Sequence, residues 1–107
     1  MERRYTVTIT ERVGRVVVVT GAGSGLGRAM ARGLLDAGHH VVLAGRNSVS
    51  LEATGGGHER AVVIPADVSS PESVHRLFTS VTERFGRLDV LVNNAGTFGP
   101  SGSVDEI

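Results

Sequence analysis

The stretch Val16-Val-Val-Val-Thr20-Gly-Ala-Gly-Ser-Gly-Leu-Gly27 decides the fold. Four valines and a threonine with no polar alternation read as a strand buried on both faces, as in a parallel sheet covered by helices. Glycine then occupies every second position from Gly21 to Gly27. Beyond the glycines, Leu26, Met30, Gly33/Leu34 and Ala37 repeat at helical spacing, and Asp36-Ala-Gly38 puts a glycine where the helix should end. A strand that turns through glycines into a helix leaves unpaired N–H groups and a partial positive charge at the turn. Such a junction suits an anion.

The same alternation continues outward. Val41-Val-Leu-Ala44, Ala61-Val-Val-Ile64 and Leu88-Asp-Val-Leu-Val92 read as three more strands. Between the last two, Ser70 is placed to cap a helix, Pro71 suits its first position, Glu72 suits the positive end of its dipole, and Gly86 closes it. Val74, Leu77, Phe78, Val81 and Phe85 form one apolar stripe along it. The connection from Gly45 to Arg60 is expected to hold about two turns near Leu51 to Thr54 and then a loose loop, because Gly55-Gly-Gly57 is poor helix. Tyr5 to Thr10 alternates polar and apolar residues and reads as a stray edge strand. The predicted fold is α/β: a Rossmann-type doubly wound parallel sheet, truncated, with strand order 3-2-1-4.

Composition narrows the function classes. A chain of 107 residues, 40% hydrophobic, supports one core. Basic and acidic residues balance at 11 each, so the footprint that nucleic acid or an anionic membrane would require is missing. Cysteine is absent, which excludes disulfides, thiolate metal sites and a cysteine nucleophile. The longest apolar run, Val16 to Val19, is far below the roughly 20 residues of a membrane span. No metal-ligand cluster is suggested. His39-His40 falls at the strand end opposite the expected ligand crevice and is read as solvated or structural. A cytoplasmic protein is expected.

Gly21 is expected to make the sharp turn, Gly25 to admit a phosphate close to the backbone, and Gly27 to let helix and strand approach. Ser24 would add a hydroxyl donor. The standard dinucleotide spacing, G-x-G-x-x-G, is not met, since Leu26 or Arg28 stands where its last glycine would be. The spacing is instead Thr-Gly-x-x-x-Gly-x-Gly, and Asn93-Asn-Ala-Gly96 follows the fourth strand. On these two motifs the chain resembles the short-chain dehydrogenase/reductase family.

That resemblance implies an NAD(P)-dependent oxidoreductase moving hydride between cofactor and an alcohol or carbonyl substrate. Gly21, Ser24, Gly25, Leu26 and Gly27 would hold the pyrophosphate, Asp67 and Val68 the adenine, and Asn94, Ala95 and Gly96 the ribose and nicotinamide side. Asn93 is expected to tie neighbouring strands through its amide. At the end of the second strand, where a carboxylate usually meets the ribose hydroxyls, stands Gly45. Arg46 follows it, able to pair with a 2′-phosphate, and Asn47 would add a polar contact, so NADP(H) is expected over NAD(H).

The family's catalytic Ser and Tyr-x-x-x-Lys lie C-terminal to the Asn-Asn-Ala-Gly motif. Here the only tyrosine is Tyr5 and lysine is absent. The expectation is that residues 1–107 are the N-terminal, cofactor-binding half of a single Rossmann domain, inactive alone. Catalytic residues would lie beyond Ile107, and a homo-oligomer is the family's usual assembly. The rival expectation is a dinucleotide-binding module or remnant without turnover.

Overall fold

The computed structural model describes residues 14–94. Along them run β1 (Val16–Thr20), α1 (Gly25–Asp36), β2 (His40–Gly45), α2 (Ser48–Gly55), β3 (Ala61–Pro65), α3 (Pro71–Phe85) and β4 (Val90–Asn93). The strands form one parallel sheet in the order β3-β2-β1-β4, as expected. Strands alternating with helices produce this because each parallel crossover carries a helix across one face.

The two central strands are the most deeply buried. Alternation along them divides the core between the faces. Val17, Val19, Val41 and Leu43 pack with Ala31, Leu34 and Leu35 of α1 and Leu51 of α2. Val16, Val18, Val42 and Ala44 face Leu77 and Val81 of α3. Thus α1 and α2 cover one face and α3 the other. The outer strands are less enclosed: β3 is half-buried, and Leu91 of β4 is 41% exposed.

The caps of α3 are those read from the sequence. Ser70 accepts the Ser73 N–H, Pro71 starts the helix, Glu72 lies in its first turn, and Gly86 ends it at φ 79°. Four details differ. First, α2 has the two turns expected but starts ahead of Leu51, at Ser48, because Asn47 caps it by accepting the Ser50 N–H. The glycine triplet terminates this helix rather than forbidding it. A Cβ on Gly55 would lie 3.2 Å from Leu43 and 3.3 Å from Ala61, so glycine lets α2 lie close on the sheet, and Gly56 adopts the left-handed cap at φ 56°. Second, α1 turns a different stripe inward: Gly27, Ala31, Leu34 and Leu35 are buried, while Leu26 is 54% exposed. Third, β4 begins at Val90. Asp89 just before it accepts the Val16 N–H on its carboxylate at 2.8 Å, so it caps the neighbouring strand. The fourth resolves an alternative: of the two readings, solvated or structural, His39 is structural, 1% exposed with its Nδ1 accepting the Arg15 N–H. Tyr5 to Thr10 lies outside the described residues.

No helix among the described residues is long and apolar enough to cross a membrane. None of their His, Asp and Glu residues gather in a group that could hold a metal ion.

Candidate functional site

The site forms where β1, β2 and β3 end and the chain turns into α1, α2 and α3, the crevice at which open α/β sheets bind ligands. Gly21 makes the turn out of β1 at φ 65°. The Ala22 N–H then reaches the Ala44 carbonyl at 3.2 Å, fastening the turn to β2. Ser24, extended at the N-cap position of α1, makes no side-chain cap bond, and the first turn of α1 carries no acidic residue. The N–H groups of Gly23, Ser24, Gly25, Leu26 and Gly27 have no acceptor among the described residues. Five consecutive donors at a helix N-terminus make a positive concavity.

Gly27 permits this geometry. A Cβ there would collide with the Gly21 carbonyl and come within 2.7 Å of Asn94 Nδ2, so any side chain would push α1 away from the turn. Asn94 closes the same corner from β4, donating its amide to the Gly21 carbonyl at 3.3 Å. Of the sequence-predicted residues on this side, Gly21, Ser24, Gly25, Leu26, Gly27 and Asn94 come together. Ala95 and Gly96 lie outside the described residues.

Beside the glycine turn, Gly21, Arg46, Asp67 and Val68 line an open groove of about 360 Å³. Gly45, which the sequence reading put at the ribose position, and Ala66 and Ser69, which it had not assigned to a site, complete its walls. Asp67 Oδ1 accepts both the Ser69 N–H at 2.9 Å and the Ser69 hydroxyl at 2.6 Å. These two bonds, hydroxyl first, hold its carboxyl below the ordinary range against a smaller opposing effect of burial, and Arg46 adds to the shift. Asp67 therefore organises the turn after β3 as an ionised side chain. The Val68 N–H has no acceptor among the described residues. The Arg46 guanidinium is exposed at the rim. The Asn47 oxygen is engaged in the α2 cap, which leaves its amide N–H groups as the end available to a ligand.

Thr20 was not singled out from the sequence beyond its place in the glycine motif, yet it connects the halves of the site. Fully buried, its hydroxyl accepts the Asn94 N–H and bonds Asn93 Oδ1. Asn93 thus joins neighbouring strands through its amide group, as expected. The available signal was a polar residue closing a run of valines.

The donor turn and the groove beside it thus bring unpaired N–H groups, an exposed guanidinium and an ionised carboxylate to one end of the sheet. Comparison with known proteins identifies the family. The short chain dehydrogenase family model matches residues 15–107. The chain is 40% identical over 100 residues to a 3beta-hydroxysteroid dehydrogenase of Mediterraneibacter gnavus, covering 87% of this chain and 35% of that protein. It is 41% identical over 93 residues to an L-fucose dehydrogenase of Oryctolagus cuniculus, covering 87% and 33%. Among solved structures, the Pseudomonas aeruginosa RhlG/NADP active-site complex superposes with a TM-score of 0.71 at 40% identity, over 79% of this chain and 36% of that one. A 3-ketoacyl-(acyl-carrier-protein) reductase from Brucella melitensis complexed with NADH gives 0.70 at 32% identity, over 74% and 33%. The chain spans about a third of the length of these relatives. With the parallel sheet, the glycine turn and the family match in agreement, the chain belongs to the short chain dehydrogenase family.

Proposed function

We propose that these residues are the cofactor-binding half of a single Rossmann domain, in an oxidoreductase that transfers hydride between NADP(H) and an alcohol or carbonyl substrate. The observation that carries the reading is the row of N–H groups from Gly23 to Gly27, without acceptors among the described residues, on the turn that follows Gly21, itself part of the groove wall. These donors would hold the pyrophosphate. The Asp67 carboxylate would accept from the adenine amine through Oδ2, its other oxygen being taken by Ser69, and the Val68 N–H would donate to the ring. Asn94, Ala95 and Gly96 would line the ribose and nicotinamide side. When bound, the nicotinamide supplies the hydride.

NADP(H) is favoured over NAD(H) by the pair Gly45 and Arg46: the end of β2 carries no carboxylate to repel a 2′-phosphate, and a planar guanidinium stands at the rim. One solved neighbour is a complex with NADP and another a complex with NADH, so the preference rests on this pair. The names of the two dehydrogenase relatives support the alcohol or carbonyl class without choosing within it. These 107 residues contain no lysine and one tyrosine, Tyr5. They supply no Tyr–Lys pair, and the chain alone would bind cofactor without turnover. A cytoplasmic location and assembly into homo-oligomers belong to the same reading.

Titration of the chain with NADPH, followed by the fluorescence of the reduced nicotinamide, tests the proposal. Saturable binding at one site is expected, weakened at least roughly tenfold in Gly27→Val, where overpacking displaces α1 from the turn. Absence of binding, or equal binding by the variant, overturns it.

A further inference from the structure

The free donors of the glycine turn owe their direction to contacts behind it. Thr54, in the last turn of α2, is 1% exposed. Its hydroxyl lies 2.8 Å from the Ala22 carbonyl and 3.1 Å from the Ser50 carbonyl, and it accepts Arg28 Nε at 3.0 Å. A hydroxyl has one proton to give, and the Ala22 carbonyl is the nearer taker. Arg28 Nη2 donates to the Gly23 carbonyl at 2.7 Å. The carbonyls of two successive peptide units, Ala22–Gly23 and Gly23–Ser24, are therefore both bound on the side facing α2 and Arg28.

A trans peptide carries its N–H opposite its C=O, and no cis bond occurs among the described residues. The N–H groups of Gly23 and Ser24 are thereby turned away from α2, and both are without an acceptor among the described residues. Arg32 fixes the other partner of the clamp. Its Nε and Nη2 donate to the Thr54 and Ala53 carbonyls at 3.2 and 3.0 Å, satisfying orphan acceptors at the end of α2. The first turn of α2 also presses on the loop, since a Cβ on Gly23 would lie 3.0 Å from Ser50 Cβ.

We infer that Arg28 and Thr54 are positioning residues for phosphate recognition: they hold two backbone carbonyls back so that the Gly23 and Ser24 N–H groups face the ligand. Arg28 spends its guanidinium on the loop rather than on the phosphate. The inference rests on the proposal that this turn binds a pyrophosphate.

Its test compares NADPH with adenosine 2′-monophosphate, which keeps the adenine and 2′-phosphate but has no pyrophosphate. Thr54→Val and Arg28→Met are each expected to weaken NADPH binding roughly tenfold, the effect of one well-placed hydrogen bond lost. Both are expected to leave adenosine 2′-monophosphate within about twofold, and Thr54→Ser to restore NADPH binding. Arg28 lies on the half-exposed flank of α1, so Arg28→Met supplies a folded comparison, checked by circular dichroism. Equal loss for both ligands would mean a purely structural role and would overturn the inference, as would unchanged NADPH affinity in Arg28→Met. If the wild-type chain binds no NADPH, the proposed function fails with it. If it binds and the variants match it, only the positioning role fails.

Discussion

The Thr20 hydroxyl accepts the Asn94 N–H at 2.9 Å and meets Asn93 Oδ1 at 3.1 Å, so the last residue of β1 fixes where β4 leaves the sheet. Asn94 in turn donates to the Gly21 carbonyl. One buried hydroxyl thus aligns the glycine turn with the strand end that would face the nicotinamide.

Replacing it tests that alignment. Thr20→Val keeps the shape and removes the hydroxyl, leaving the Asn94 N–H and the Asn93 oxygen without this partner. A loss of about 1 to 3 kcal/mol is expected from urea unfolding, with Thr20→Ser close to wild type. Wild-type stability in Thr20→Val would show that the hydroxyl does not join the strands.

His39 makes the fold acid-sensitive. Burial first, then Arg15, Arg60 and His40, lower its pKa from the ordinary 6.5. The folded state favours neutral imidazole, and the unfolded chain takes up the proton more readily. Stability from this residue is therefore complete above about pH 6.5 and declines as pH falls toward the lowered folded value. His39→Gln retains an acceptor for the Arg15 N–H and should flatten the decline between pH 7 and 5, in melting temperatures normalised to neutral pH. An unchanged slope would assign the acid sensitivity elsewhere.

Asn47 has a cap role and a proposed ligand role, and two variants separate them. Asn47→Ala should cost about 1 kcal/mol through the lost Ser50 cap. Asn47→Asp keeps the cap while placing a negative charge beside Arg46. It should retain stability and weaken NADP⁺ more than NAD⁺, as read by calorimetry. Equal weakening of both would remove Asn47 from the 2′-phosphate side.

Much of this was legible because local signals agreed with tertiary ones. The unbroken valines of β1 and the Ser70, Pro71 and Gly86 signals of α3 each point to a single structure, and their placement fixes the topology. The glycine turn was legible because its spacing and its place between strand and helix coincide. What the sequence concealed depends on contacts distant along the chain. Gly55 looks like a helix breaker until Leu43 and Ala61 are seen against it. Leu26 looks like core until Gly27 is seen to pack against Gly21 instead. His39 could be read as solvated or structural, and only its bond to Arg15, twenty-four residues away, decides between them. Arg28 and Thr54 carry no motif that links them; only the packing of α2 against the glycine turn brings them together.

Arg46, beside Gly45 at the end of β2, is the residue proposed to select a 2′-phosphorylated dinucleotide. Calorimetric titration of NADP⁺ and NAD⁺ into wild-type and Arg46→Ala protein decides whether it does. The expected result is tighter NADP⁺ binding by the wild type, with Arg46→Ala losing roughly ten- to a hundredfold for NADP⁺, the range of a charge-assisted pair, and little for NAD⁺. Equal losses for the two cofactors, or a wild type that prefers NAD⁺, would contradict it.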